Sequence, residues 1–128
     1  MVSVVLAEGR RAGEFMISEA RGMQSRDVGN FTNSGGTDIV LPAGLVLGQL
    51  TADSSWAPYT NAGTLGLQVA TGILWDNTRI PAGATVKATY VARNCEVNPA
   101  ELQYAAGVLA ADKTAALADF RTIGIISR

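Results

Sequence analysis

Short apolar runs separated by turns that contain proline or glycine fill the chain from residue 39 onward, and this spacing constrains the fold most. Ile39–Leu41 leads through Pro42-Ala43-Gly44 into Leu45–Thr51, and Ala84–Ala92 alternates apolar with polar side chains. Runs of this length with a period of two are typical of strands, and proline and glycine favour the turns between them. The spacing therefore predicts a small sheet domain with mainly antiparallel strands.

Further strands are predicted at Trp56–Thr60, at Leu67–Trp75 and at Ile125-Ile126 near the end of the chain. Pro58 places the first of these at a sheet edge, because proline has no backbone N–H to donate to a neighbouring strand. The polar stretch Asp76–Gly83 is predicted to be a loop.

Two short helices are expected after the strands. Asn98–Glu101 offers an N-cap residue, a proline at the first helical position and a glutamate at the third, so a helix begins there and ends near Gly107. A second helix is predicted from about Asp112 to Ile123. Its apolar face consists of Leu117, Phe120 and Ile123. Strands followed by two short helices give an α+β fold.

The beginning of the chain differs in composition from the rest. Residues 1–27 hold eight of the 21 ionised side chains, four of each sign, and the Gly- and Asn-rich stretch Gly29–Gly36 indicates a loop or hinge. We therefore divide the chain into an extended N-terminal arm, residues 1–37, and an α+β domain, residues 38–128. Because the core patterns start at Ile39, the domain is expected to fold after deletion of residues 1–30.

Phe15, Met16 and Ile17 form an apolar island inside this charged arm. A run this short cannot bury itself unaided. Two interpretations remain open: the island belongs to a strand of the domain's own sheet, or it is an extended segment that adds a strand to the sheet of another chain. We favour the second interpretation. Strand geometry then places Phe15 and Ile17 on one face and Met16 on the other.

Composition narrows the classes of function. Charged residues make up 16% of the chain, against about 25% in an ordinary domain, so part of the surface is expected to be covered by a partner or by other copies. A net charge of −1 disfavours nucleic-acid binding. No apolar run approaches the roughly 20 residues of a membrane-spanning helix, and the N-terminus does not resemble a signal peptide. The absence of histidine removes the commonest general base and zinc ligand, which disfavours an enzyme.

Three other groups of side chains are weaker candidates for chemistry. Cys95 lies near Arg93 but has no histidine to act as its base, so a small buried hydrophobe is the expected role. Trp56, Tyr59 and Trp75 are candidates for a sugar or peptide site, although core packing explains at least two of them better. No spacing of acidic residues and no glycine-rich loop predicts a metal, a cofactor or a catalytic residue.

Four segments carry a resemblance to a known family. They are Ser25-Arg26-Asp27, Leu41-Pro42-Ala43-Gly44-Leu45-Val46-Leu47-Gly48, Val91-Ala92-Arg93-Asn94-Cys95-Glu96-Val97-Asn98 and Gly124-Ile125-Ile126-Ser127-Arg128. In order and spacing they are similar to the lambda-type phage head decoration proteins. The resemblance extends from about Gly13 to the C-terminus, and the residues before Gly13 depart from it.

The resemblance implies a small, non-enzymatic structural protein of the virion. Such a protein is made late in the host cytoplasm, binds the outer surface of the expanded head as homotrimers at threefold sites, and stabilises the capsid against internal DNA pressure. The implied partners are the major capsid protein and other copies of this chain, with no nucleic acid and no membrane. The arm residues expected to bind the capsid are Phe15, Met16, Ile17, Arg21, Arg26 and Asp27. The alternative is a trimeric β module of a phage tail or fibre that binds a receptor or glycan through its tryptophans.

Overall fold

The computed structural model describes residues 9–61 and 64–128, which contain ten strands, one α-helix and one 3-10 turn. The strands are β1 (Met16–Glu19), β2 (Arg26–Thr32), β3 (Ile39–Leu41), β4 (Val46–Gln49), β5 (Trp56–Pro58), β6 (Gly72–Leu74), β7 (Thr78–Ile80), β8 (Thr85–Val91), β9 (Cys95–Val97) and β10 (Ile125–Ser127). The α-helix is α1 (Ala110–Arg121), and the 3-10 turn is Pro99–Glu101. Among the described residues, no helix has the length and apolar character needed to cross a membrane.

Five strands close a small barrel in the order β2-β5-β4-β6-β8, with β8 returning to β2. Its longest pairing is between β2 and β8, which run antiparallel in register from Arg26–Val91 to Thr32–Thr85. The barrel core is filled by Phe31, Leu45, Leu47, Trp56, Leu74, Ile80 and Tyr90. Side chains of β8 enter or pack against this core at alternate positions, so the alternation predicted for Ala84–Ala92 is confirmed.

A second core lies between the barrel, the helix and a three-stranded sheet of order β1-β9-β10. It contains Phe15, Val46, Tyr59, Ala70, Ile73, Val91, Cys95, Val97, Leu102, Ala116, Phe120 and Ile125, and is called the helix-side core below. The barrel strands serve both cores, because Leu45 and Leu47 face the barrel core while Val46 between them faces the helix side. Phe120 is buried in the helix-side core, with Leu117 and Ile123 packed against it, which confirms the predicted helix face.

Most of the strand pairing follows the prediction. Of the eight strand pairings among the described residues, six are antiparallel. Leu67–Trp75, in contrast, forms a strand only at β6, because a turn occupies the preceding residues. The prediction of a loop at Asp76–Gly83 is wrong for β7, which pairs with β3 in a separate two-stranded ribbon.

The sequence context of Pro58 predicts a sheet edge, but the structure does not place Pro58 at one. β5 is flanked by β4 on one side and by β2 on the other. The pairing with β2 consists of the single pair Phe31–Trp56, so Pro58 lies beyond it and its missing N–H breaks no bond there.

Only one of the two predicted helices is an α-helix. The first is the three-residue 3-10 turn, in which the Asn98 side chain accepts a hydrogen bond from the Ala100 N–H at 3.1 Å, as its capping pattern predicts. The chain becomes extended at Leu102 because that side chain is buried and the next residue, Gln103, donates its N–H to the Gly44 carbonyl at 2.8 Å. Tertiary contacts therefore end this helix after one turn.

The predicted arm, residues 1–37, is not separate from the domain where the structure describes it. β1 pairs with β9, and β2 is a barrel strand. Phe15 is completely buried, with its ring edge-on to Trp75 at a centroid distance of 6.0 Å. Of the two interpretations of the apolar island, the structure therefore supports a strand of the domain's own sheet. Residues 1–8 lie outside the described residues.

The predicted hinge at Gly29–Gly36 is partly strand. Gly29 lies in the middle of β2, and a Cβ at this position would collide with the Trp56 indole, so the glycine permits close packing rather than a bend. Deletion of residues 1–30 would remove β1 and most of β2. The domain is therefore no longer expected to fold without them.

Replacing Phe15 tests whether this segment belongs to the core. Phe15→Ala should lower the free energy of unfolding by about 3–5 kcal/mol, because it empties a fully buried aromatic position. Ile17→Ala, at a half-exposed position of the same strand segment, should change it by about 1 kcal/mol or less. Urea denaturation of both variants measures the difference. Equal small effects would mean that Phe15 does not contribute to the folded core in solution.

Cys95 is buried in the helix-side core, as its sequence context predicts, and contacts no histidine because the chain has none. Burial, together with the nearby Glu19 carboxylate, raises the pKa of its thiol to about 11. The thiol is therefore protonated at neutral pH, where it lacks the thiolate that a nucleophile requires.

This raised pKa predicts a pH dependence of stability. Below the ordinary thiol pKa near 9, Cys95 is protonated in both the folded and the unfolded chain, and its contribution to the free energy of unfolding is fully present. This contribution is lost as the pH rises toward about 11, because the thiol of the unfolded chain ionises first. The free energy of unfolding of the native sequence should therefore fall more steeply between these pH values than that of Cys95→Ala. Parallel denaturant titrations across this range give the comparison. Identical slopes would show that the thiol is not shielded from solvent.

Candidate functional site

The residues predicted to bind the capsid lie in β1, in the turn that follows it and at the start of β2. Phe15 faces the helix-side core, and Met16 is partly buried against the same core. Ile17 has 52% of its surface exposed. The predicted common face of Phe15 and Ile17 is therefore wrong. The pairing with β9 shifts register between Met16 and Ser18, and this irregularity interrupts the alternation of the strand.

Two charged residues of the predicted set attach this segment to the domain. Arg26 forms two hydrogen bonds to the Glu19 carboxylate, at 2.9 and 2.6 Å, which join β1 to β2. Its guanidinium also lies 3.5 Å from the centre of a Trp75 ring, where the aromatic face attracts a cation. Asp27 pairs with Arg93 at the start of the β2–β8 seam. These contacts assign Arg26 and Asp27 a structural role in the free protein.

Arg21 differs from these two residues, because it is exposed in the turn between β1 and β2. Met23 in the same turn has 77% of its surface exposed. Sequence reasoning singled out Arg21 but not Met23. A lone methionine between charged residues gives no periodic signal, and only the structure shows that it projects from the turn.

Arg10 attaches the beginning of the described chain to the domain. Its Nη2 lies 2.9 Å from Glu14, and its Nε donates to the Ala43 carbonyl at 2.9 Å. Asn77 Nδ2 donates in turn to the Arg10 carbonyl at 2.7 Å. The guanidinium also contacts Glu101, through both the backbone carbonyl and the carboxylate. Sequence reasoning missed this role because most of these partners are remote in the chain.

The outer surface of the three-stranded sheet combines apolar and polar groups. In the strand register, Glu96 of β9 is opposite Ser18 of β1 and beside Ile126 of β10, so these residues form a row across the sheet. Ile126 has 44% of its surface exposed. We call Ile17, Ser18, Glu96 and Ile126 the β1 face. Sequence reasoning read Ile126 only as part of a terminal strand, because its neighbours across the sheet are remote in the chain.

β1 is an outer strand of its sheet, so one of its edges has no strand partner among the described residues. Backbone N–H and C=O groups at such an edge can pair with an extended segment of another chain. The β1 face and this edge together offer apolar contact and backbone hydrogen bonding on one element. The arrangement suits the binding of another protein.

The tryptophans do not form an exposed platform. Trp56 and Tyr59 are buried, which confirms core packing for at least two of the three aromatic residues considered. Trp56 has Tyr90 at a centroid distance of 4.1 Å, and Trp75 is covered by Arg26. A sugar ring that stacks on an indole needs an accessible aromatic face, so these contacts disfavour the tryptophan-based glycan site of the tail or fibre alternative.

Within residues 9–61 and 64–128, no group of three or more histidine, cysteine, aspartate or glutamate side chains lies close enough together to hold a metal ion.

Comparison with known proteins is consistent with a contact role. The family model described as bacteriophage lambda head decoration protein D matches residues 5–125, which are nearly the whole chain. The matched residues include all of the strands β1 to β9 and the first residue of β10. No individual curated protein matches the chain significantly. The match covers both cores and almost all of the three-stranded sheet. The chain therefore belongs to the family of bacteriophage lambda head decoration proteins.

Proposed function

We propose that this protein binds the outer surface of the expanded phage head as homotrimers at threefold sites and stabilises the capsid against the pressure of the packaged DNA. The observation that supports this proposal best is the family match over residues 5–125. Members of this family are structural head proteins, which agrees with a site made of surface contacts. The major capsid protein and other copies of the chain are the proposed partners.

The β1 face and the open edge of β1 are proposed to contact the capsid. Ile17 and Ile126 each retain about half of their surface for burial, so covering both contributes roughly 1 kcal/mol per side chain. Pairing of an extended coat segment with the β1 edge adds backbone hydrogen bonds. These contributions are individually small. A trimer repeats them three times, and binding only the assembled shell then stabilises that shell by multivalency and mass action.

The structure changes the proposed roles of the predicted site residues. Ile17 and Arg21 are exposed and are proposed to contact the capsid directly. Phe15 and Met16 are proposed to support β1 from the core, while Arg26 and Asp27 hold β1 and β2 in place. The proposed capsid-binding segment is therefore shorter than residues 1–37.

Co-sedimentation with phage shells tests the capsid contact. The native protein should sediment with expanded shells but not with unexpanded precursors. Ile17→Asp with Ile126→Asp should weaken retention roughly tenfold or more, because two apolar contacts are replaced by charges that must lose water. Val40→Asp is the matched control, since Val40 is an exposed apolar residue of the separate β3–β7 ribbon.

The control variant should bind like the native protein. Circular dichroism and urea denaturation of all variants show whether the substitutions leave the fold intact. If a folded double variant decorates expanded shells fully, the β1 face is not the capsid contact. If the native protein does not bind expanded shells at all, the proposed function itself is wrong.

Reconstruction of decorated heads by electron microscopy tests the assembly. We expect density for three copies around each threefold position, because a site with threefold symmetry favours an oligomer of the same symmetry. The trimer is expected on the shell whether or not it exists in free solution. Isolated monomers or dimers away from threefold positions would contradict this part of the proposal.

A further inference from the structure

The turn at residues 64–67, between β5 and β6, holds a leucine in an unfavourable backbone conformation. The Leu67 N–H donates to the Thr64 carbonyl at 3.3 Å, and the two residues between them, Leu65 and Gly66, have φ values of 66° and 102°. Positive φ at both central residues is typical of a type I′ turn, in which glycine, asparagine or aspartate occupies the first central position. Leu65 stands at that position, where a side chain of its size is disfavoured.

Backbone contacts keep Leu65 in this conformation. Its carbonyl accepts hydrogen bonds from the Thr51 N–H at 2.9 Å and from the Thr51 hydroxyl at 3.2 Å. The next residue is glycine, and a Cβ at that position would collide with the Gln49 carbonyl oxygen. Asparagine or glycine in place of Leu65 would accept the same hydrogen bonds, because they involve only its backbone. The fold therefore requires the turn but does not require leucine in it.

The Leu65 side chain lies outside both cores of the described residues. It has 66% of its surface exposed, and Val69 in the same loop is also exposed. An apolar side chain that is held at an unfavourable φ and gains no burial lowers the stability of the free protein. Residues in such conformations are concentrated at functional sites, where the surrounding structure holds them in place. The combination of strain and exposure therefore indicates a contact with a partner.

The lack of charge around this turn favours a second copy of the chain as the partner. Residues 54–75 contain no aspartate, glutamate, lysine, arginine or histidine. A surface beside a rotational symmetry axis meets copies of itself, so any charge on it faces the same charge. A neutral and partly apolar surface avoids this repulsion, and charged residues are depleted at the centres of protein interfaces. The exposed residues of this segment that the structure describes are Ser54, Asn61, Thr64, Leu65, Gln68 and Val69.

We propose that Leu65, together with Val69, forms a contact between neighbouring copies of this chain around the threefold axis of the trimer. This contact rests on the proposed homotrimer, whose copies it joins. It is separate from the β1 face, which includes the acidic residue Glu96 and is proposed to bind the capsid. In the assembly the Leu65 side chain gains the burial that it lacks in the free protein.

Leu65→Asn separates stability from assembly. Asparagine tolerates positive φ and little burial is lost here, so this variant should raise the melting temperature by about 2–5 °C. Its retention on expanded shells should nevertheless fall roughly tenfold or more, because copies that no longer contact each other lose multivalent binding. A loss of retention in a more stable protein cannot result from unfolding.

Val40→Asn is the matched control for this substitution. Val40 is similarly exposed, at 64%, but it lies in the β3–β7 ribbon and does not have a positive φ. The control should keep native retention on the shell and show no gain in melting temperature. A Leu65→Asn variant that keeps native retention, or that gains no stability, would contradict the proposed contact.

Cysteine cross-linking identifies the partner, both on expanded shells and in concentrated free solution. With a short bismaleimide, Leu65→Cys should give covalent dimers of this chain, whereas Val40→Cys should remain monomeric. The native Cys95 is buried and provides an unreactive background. If the native protein binds no shells, the proposed function fails, and the yield of dimers in solution still decides the contact between copies. No Leu65→Cys dimers in either condition, equal yields from Val40→Cys, or cross-links to the coat protein alone would overturn it.

Discussion

The antiparallel pairing of β2 with β8 closes the barrel, and most other features depend on it. Seven residue pairs, from Arg26–Val91 to Thr32–Thr85, join a strand near the start of the chain to one in its second half. This seam places Phe31 and Tyr90 in the barrel core and Val91 in the helix-side core. It also fixes the position of β1, because Arg26 at its end binds Glu19 and covers Trp75. Substitution of a buried residue at this seam therefore affects the core that its side chain faces.

The same N-terminal segment serves the fold and the proposed capsid contact. Phe15 points into the helix-side core, while Ile17, beside the register shift in β1, points outward. A contact surface built on a strand that is anchored on its inner side loses little conformational entropy when a partner binds. This arrangement differs from a free arm that must order itself on the shell. It implies that the β1 face is already formed before the protein meets the capsid.

The sequence by itself determined the features that depend on local pattern. The alternation in β8, the apolar face of α1 with Phe120, the Asn98 cap and the burial of Cys95 followed from residue type and spacing, and the ordered segments indicated the family. β2 gave no such signal, because Phe31 is its only buried residue and glycine and polar residues surround it.

Only the tertiary structure decided the roles of the N-terminal residues. Phe15 is buried because Trp75 and β9, which are remote in the chain, provide a place for its side chain. Ile17 is exposed because the irregular pairing of β1 with β9 points its side chain outward. The 3-10 turn at Pro99–Glu101 likewise ends where Leu102 becomes buried. Burial of a short apolar segment depends on what distant residues offer it, and that information is absent from local spacing.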